Sequence, residues 1–190
     1  MPRPEDEYSE DEIKEDTENI ELDSLDLDIG KLAVDSSQTF DQRIECYRTA
    51  KNYFDINFDT VYEPANGSDV STAEAFPEAS VIFAEVNDAA VEQLKSEGYD
   101  IRGADAENLH LDEDIGLTVF RNAAVDALNV LELNSSEWVF ANDYLNNASE
   151  IQESPNYEVV GVIDRNTLEI QDTLEEINPH PDDLYVFRQD

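Results

Sequence analysis

Ser80-Val81-Ile82-Phe83-Ala84-Glu85 is an apolar run closed by an acid, and Asp88 to Glu97 behind it carries a helical pattern that Gly98 stops. A short continuous apolar run bounded by turn residues reads as a strand covered on both faces, and a helix of about ten residues after it has the length of a crossover. Working outward, the same alternation recurs. Toward the N-terminus, Phe58 to Glu63 is strand-like and Ser68 to Phe76 suits a short helix. Before them, Phe40, Ile44, Tyr47, Ala50 or Lys51, and Phe54 fall at helical spacing, with Asp41 just past the helix start. Toward the C-terminus come strands at Tyr99 to Arg102 and Leu117 to Phe120, a helix at Val125 to Leu133, and a strand at Glu137 to Ala141. A short helix near Asn146 to Gln152 leads to Tyr157 to Ile163, the strongest strand in the chain, and Leu184 to Phe187 closes it. Strands alternating with helices predict an α/β fold, a mostly parallel sheet with right-handed crossovers and helices on both faces. The last two strands lack a crossover helix: Thr167 to Ile170 reads as strand or turn, Leu174 to Ile177 follows, and Pro179-His180-Pro181 breaks the chain. An antiparallel final pair fits there.

The composition sets the function classes aside or keeps them. Of 190 residues, 47 are Asp or Glu and 11 are Lys or Arg, a formal net charge of -36. The chain is 40% hydrophobic, enough for a packed core despite the charge. A surface for phosphate backbones needs Lys and Arg to release counterions, so nucleic acid is not an expected partner. No apolar run approaches the roughly 20 residues of a membrane span, and Met1-Pro2-Arg3-Pro4 opens no signal-peptide core, so a cytoplasmic protein is expected. Cys46 is the single cysteine, and no disulfide framework is possible. Residues 1 to 30 hold 13 acids and 2 bases, or -11, which leaves -25 for the rest. The acidity therefore belongs to the domain as well as to its leader, the composition expected of a salt-in halophile, where a Debye length of about 3 Å at molar salt screens self-repulsion; the alternative is an acidic eukaryotic or phage protein with a solvating tail. An acidic tail over residues 1–35 and an α/β domain over residues 36–190 are predicted. Within the tail, Leu25-Asp26-Leu27-Asp28-Ile29 alternates with period 2, so residues 20–32 are either an unstructured leader or an arm that docks on a sheet edge, its own or a protein partner's.

Ligands of a doubly wound sheet bind outside the carboxyl ends of the strands, beside the loop after the first strand. That loop is Glu63-Pro64-Ala65-Asn66-Gly67-Ser68-Asp69, with a single glycine. An acid ending the strand can accept from an ammonium group, while small residues let backbone N–H groups approach a ligand. Glu85 ends the second strand, where a carboxylate can accept both hydroxyls of a ribose. Asp105, in Gly103-Ala104-Asp105-Ala106-Glu107, stands just past the third, within reach of an adenine edge. The competing reading of all three is plain halophilic surface charge. His110 beside Asp112, Glu113 and Asp114, and His180 among Pro179, Pro181, Asp182 and Asp183, lack a second histidine at helical spacing, so no metal site is predicted. Cys46, Trp138 and Phe140 read as core residues; Tyr144 stands at a strand end, facing a substrate or covering the core.

Across residues 39–190 the order of these segments resembles the class I S-adenosylmethionine-dependent methyltransferases. Val61-Tyr62-Glu63-Pro64-Ala65-Asn66-Gly67 is similar to the family's first motif, closest to the branch that methylates exocyclic amines of nucleobases. Val81 to Glu85 with Ala90-Val91-Glu92-Gln93-Leu94 resembles the ribose-binding strand and its helix, and Gly98 to Glu107 the adenine-contacting segment. The resemblance implies a Rossmann-like, seven-stranded sheet whose last strand runs antiparallel between the fifth and the sixth. It implies S-adenosylmethionine as cofactor, held by Glu63, Ala65, Gly67, Glu85 and Asp105. Two departures matter. The loop carries Ala65 and Asp69 where the family has further glycines, and an aspartate facing the methionine carboxylate would repel it unless it points away. After the fourth strand stands Asn122-Ala123-Ala124-Val125, without the two prolines and aromatic ring of the amine-methylating branch, which argues against methylation of a flipped base. Asn122 and Asp143 are the remaining candidates for positioning an acceptor. The expectation is a methyltransferase-like protein of a halophile, active on an unknown acceptor or inactive; the alternative is a non-catalytic structural or interaction protein on the same fold, such as a virion component of a haloarchaeal virus.

Overall fold

The computed structural model describes residues 39–171 and 179–190. The tail assigned to residues 1–35, the docking segment at 20–32 and Leu174 to Ile177 lie outside the described residues. Helix α1 (Phe40–Tyr53) opens where Thr39 and Gln42 form a reciprocal capping box: the Thr39 hydroxyl accepts from the Gln42 N–H at 3.3 Å and the Gln42 side-chain oxygen from the Thr39 N–H at 2.9 Å. There follow β1 (Thr60–Pro64), α2 (Ser71–Ala75), β2 (Ser80–Glu85), α3 (Asp88–Glu97) and β3 (Asp100–Gly103). After a 3₁₀ turn (Ala106–Asn108) come β4 (Ile115–Phe120), α4 (Ala127–Leu133), β5 (Ser136–Ala141), α5 (Asn147–Gln152), β6 (Tyr157–Ile163), β7 (Ile170–Gln171) and β8 (Leu184–Gln189). Local chemistry sets the ends that periodicity placed a few residues away. The Asp69 carboxylate accepts from the Ser71 N–H at 2.8 Å and starts α2 there rather than at Ser68. Asp126 accepts from the Asn129 N–H at 3.0 Å and caps α4, leaving Val125 outside it.

One sheet runs β3-β2-β1-β4-β5-β8-β6-β7. The first five strands in that order are parallel, and β8 lies antiparallel between β5 and β6, as the resemblance implied. The expected seven strands become eight. The Asp164 carboxylate accepts from the N–H groups of Asn166 and Thr167, each at 2.8 Å, and Leu168 takes a φ of 60°, which folds Ile170–Gln171 back antiparallel onto β6 as a short edge strand. A two-residue strand leaves no periodicity to read. The order reverses between β1 and β4, so the switch point lies at their carboxyl ends.

Alternation along the strands feeds a core on each face of the sheet, in three clusters. Val61, Leu117, Val119 and Phe140 bury with Cys46, Tyr47 and Ala50 of α1 and with Ala75 and Phe76, while Phe83 and Ile101 bury with Val91 and Leu94 of α3. Tyr62, Ile82, Ala84, Phe120, Val139 and Ala141 bury on the other face with Ala127, Val130 and Leu131 of α4 and Ala148 and Ile151 of α5. Each fully buried aliphatic or aromatic side chain is worth about 1.5–3 kcal/mol. Cys46 and Phe140 are core residues as read, and Trp138 joins them beneath Phe54. Phe54 also explains Gly161 in β6: a Cβ there would stand 2.6 Å from its ring, at the point where β6 shifts register against β8. No described helix is long and apolar enough to cross a membrane.

Candidate functional site

The loop after β1 turns sharply because two of its residues are left-handed. Ala65 has φ 51° and donates its N–H to the Ala84 carbonyl at 2.7 Å; Gly67 has φ 61°, a conformation that only glycine adopts without cost. That turn aims the Gly67 N–H at the end of the neighbouring strand, where the Glu85 carboxylate accepts it at 2.8 Å. The other Glu85 oxygen accepts from Val86 N–H at 2.9 Å and Asn87 N–H at 2.8 Å. Glu85 thus ties the first loop to the second, and it keeps room for a further donor, since a carboxylate offers about four lone-pair sites. Replacing Glu85 with alanine is expected to cost about 1–3 kcal/mol, because three partly buried hydrogen bonds to a carboxylate are lost. Urea denaturation measures the loss, and hydrogen exchange locates it: protection at the Gly67 amide unchanged from wild type would refute the tie.

These strand ends enclose a pocket of ≈ 230 Å³ outside the carboxyl ends of β1, β2, β3 and β4. Ala65, Glu85, Val86, Asp105, Asn122 and Val125 line it, with small alanines between them. Val86 is 69% exposed at the mouth, an apolar wall open to a flat ring. Asp105 caps the 3₁₀ turn, accepting from the Glu107 N–H at 3.1 Å and the Asn108 side-chain amide at 2.8 Å. Asn122 is also left-handed, at φ 49°. It is locked to Asn142 in both directions: its carbonyl oxygen accepts from the Asn142 amide at 2.7 Å, and its N–H donates to the Asn142 side-chain oxygen at 3.1 Å.

The structure brings Ala65, Glu85, Asp105 and Asn122 to one pocket and places Gly67 directly behind it. Glu63 and Asp143 do not line it. Asp143 accepts from the Ser149 N–H at 2.8 Å and from the Ser149 hydroxyl at 2.7 Å, and so holds the start of α5. Glu63 follows Val61 in the period-2 alternation and faces α1 and α2, fully buried. Tyr47, Thr72, Asp69, Arg121 and Arg43 surround it. Burial, reinforced by Asp69, pushes its carboxyl up to about 8 against the opposing pull of Thr72, Arg121 and Arg43. A mostly protonated carboxyl at neutral pH is no acceptor for an ammonium group.

The same face holds a cluster that pattern reading did not assemble. Arg43 of α1 reaches the Asp69 carboxylate at 2.9 Å, and Arg121, just past β4, binds the same oxygen. Burial works against the charged form of Asp69, but Arg121, the hydrogen bonds from Ser71 and Arg43 outweigh it and hold the carboxyl below its usual range. Asp69 therefore points away from the pocket, into two guanidiniums. One signal was available: Arg43 lies three residues after Phe40 and four before Tyr47, a charge on the buried stripe of α1 in a chain with few cations. Elsewhere, His110 Nδ1 pairs with the Leu133 carbonyl at 3.0 Å, and His180 Nδ1 accepts from the Asp182 N–H at 3.2 Å.

No protein-family profile and no curated protein matches the chain in sequence. Solved structures match in shape. An S-adenosylmethionine-dependent methyltransferase from Clostridium acetobutylicum superposes with a TM-score of 0.57 at 7% identity, over 82% of this chain and 94% of that one. The N-methyltransferase NodS from Bradyrhizobium japonicum, in complex with S-adenosyl-L-homocysteine, gives 0.56 at 10% identity, over 80% and 89%. The chain has the Rossmann-like methyltransferase fold.

Proposed function

We propose that the pocket at the switch point binds S-adenosylmethionine, and that the chain is a methyltransferase-like protein of a salt-in halophile. The observation that carries this reading is the pocket itself: an acid with spare acceptor capacity at the end of β2, an apolar wall at Val86 and Val125, and Asp105 across from them, on a fold shared with S-adenosylmethionine-dependent enzymes. Glu85 would take one ribose hydroxyl with its remaining lone pair, Val86 and Val125 would flank the adenine, and Asp105 would meet its amine edge. S-adenosylmethionine, when bound, supplies an electrophilic methyl group, and transfer needs chiefly alignment with the acceptor. Isothermal titration of S-adenosylhomocysteine into the full chain in molar KCl tests the reading. Saturable heat is expected; no heat from it or from adenosine at millimolar concentration overturns it.

A second reading, a non-catalytic interaction protein, is favoured by the state of the acceptor side. The Asn122 side-chain oxygen is bound to Asn142, and Asp143 lies outside the pocket lining with both oxygens holding Ser149 at the start of α5, so neither candidate is presented to the pocket as a base. Ligand binding without methyl transfer to small amines, proteins or nucleic acids would decide for it.

The halophile reading rests on charge. Among the described residues, Arg43, Arg48, Lys51, Arg102, Arg121 and Arg165, six of the eight Lys and Arg, sit in ion pairs with acids, and most carboxylates face water uncompensated. Lowering KCl from molar to tens of millimolar is expected to lower the melting temperature markedly, as screening lengthens and self-repulsion grows. A melting temperature constant across that range would remove the halophile assignment and leave the pocket reading untouched.

A further inference from the structure

We propose that the hydroxyl of Tyr62, buried beneath the pocket, donates a hydrogen bond to a ring nitrogen of the bound base and so makes the site specific for adenine. This rests on the nucleoside-binding reading above and deepens it. Tyr62 belongs to β1 and is fully buried, yet its hydroxyl has no hydrogen-bond partner among the described residues. A buried tyrosine ordinarily finds a partner for the polar end of its ring, and leaving that end unmet costs what a phenylalanine in the same space would not. The unspent hydroxyl points to a partner from outside the chain.

Its surroundings direct that partner to the pocket. Period-2 alternation turns Tyr62 away from α1, to the face that carries Ala84, Ala106, Ala123 and Ala127. Ala84 and Ala106 also line the pocket, and Ala65 and Val125, two more lining residues, pack against the same cluster. The layer that Tyr62 shares with the pocket is thus built largely of alanines, whose single methyl groups let the edge of a flat ring, held between Val86 and Val125, come close to what lies beneath. Asp105, which lines the pocket past β3, is the charged group whose field reaches the Tyr62 hydroxyl. Burial first, and Asp105 after it, hold the phenol well above its ordinary range, so at neutral pH it keeps its proton and serves as a donor. Asp105 accepts one hydrogen bond on each oxygen, from the Glu107 N–H and the Asn108 amide, and retains lone pairs for a further donor. A donor near an acceptor complements adenine, whose 6-amine gives a proton while its ring nitrogens N1, N3 and N7 take one. Hypoxanthine presents an oxygen in place of the amine and carries a proton on N1, so inosine would set its oxygen against the Asp105 carboxylate.

Isothermal titration of the full chain in molar KCl compares adenosine with inosine and with 1-deaza-, 3-deaza- and 7-deazaadenosine, each of which replaces one ring nitrogen by C–H. Inosine and one of the three deaza analogues are expected to bind about fivefold more weakly than adenosine. Tyr62→Phe keeps the ring and is expected to weaken adenosine by a similar factor while leaving that analogue unchanged, since each removes one side of the same hydrogen bond. Three analogues that all bind like adenosine overturn the inference without recourse to the variant. So does inosine binding as tightly as adenosine, or a variant that weakens adenosine and every analogue alike. Urea denaturation of the ligand-free variant is expected to match wild type; a loss of stability would mean that the hydroxyl serves the fold through a buried water, and it too overturns the inference. All of these leave the nucleoside reading standing, whereas no heat from adenosine or S-adenosylhomocysteine in the wild type overturns both.

Discussion

Glu63→Gln is expected to stabilise the protein at pH 8 while leaving it nearly unchanged at pH 5. The carboxyl is pushed up to about 8 in the folded state by burial and by Asp69, from an ordinary value of 4.5. Below about pH 4.5 it is protonated in both states and costs nothing. Between 4.5 and 8 the unfolded chain releases its proton and the folded chain keeps it, so unfolding gains progressively. Above 8 both states are ionised and the cost stays constant. Converted at about 1.4 kcal/mol per unit, the full span amounts to on the order of 4–5 kcal/mol, an upper bound because water and relaxation reach real interiors. Glutamine copies the shape of the protonated acid and does not titrate. Urea denaturation of both proteins at pH 5, 6.5 and 8 should show their stabilities diverging with pH, and every other titrating group is common to the two and cancels. Parallel profiles would mean that Glu63 is ionised in the fold, paired with the neighbouring arginines.

How much of this was legible beforehand depends on the range of the interaction concerned. The apolar run Ser80–Glu85, the helix stopped by Gly98 and the breaker-rich chain before β8 carry their structure in local pattern, and the parallel sheet with its antiparallel insertion follows from them. Boundaries moved wherever one side chain captured a backbone N–H, as Asp69 did at Ser71 and Asp126 at Asn129, since periodicity does not register single hydrogen bonds. In the site, the acids at the ends of β2 and β3 could be placed at one end of the sheet because strand ends are a topological fact. Their partners could not. That the Gly67 N–H reaches Glu85 depends on the left-handed turn at Ala65 and Gly67, and Ala65 in that conformation breaks the rule by which a glycine would have announced it. Glu63 shows the converse: its position at a strand end suggested a ligand contact, but period-2 alternation, counted from Val61, turns it to the α1 face. The meeting of Arg43, Asp69 and Arg121 joins a helix, a loop and a strand end far apart in the chain, and no sequence window contains it.

That meeting is the basis of the second large effect. Asp69→Ala is expected to cost about 3–5 kcal/mol at pH 5, the range for breaking a buried ion pair by removing one member. The side chains of Arg43 and Arg121 are only 11% and 20% exposed, so their charges would be left close together with little solvent between them. Ser71 would also lose the acceptor of its N–H at the start of α2. The cost should then depend on pH, through Glu63. Asp69 is one of the groups that raise the Glu63 carboxyl, and Arg121 and Arg43 are two that lower it, so deleting Asp69 removes an opponent and leaves both allies. Glu63 would ionise at lower pH in the variant and serve as a substitute counter-ion, and the loss measured at pH 8 should be smaller than at pH 5. The double variant Glu63→Gln/Asp69→Ala has no substitute, and its Asp69 cost should stay near the full value at both pH values. A double-mutant cycle at the two pH values isolates this coupling. If the Asp69→Ala cost is the same at pH 5 and pH 8 in the presence of Glu63, the two acids do not share the arginines, and the pH dependence expected for Glu63 would have to arise from burial alone.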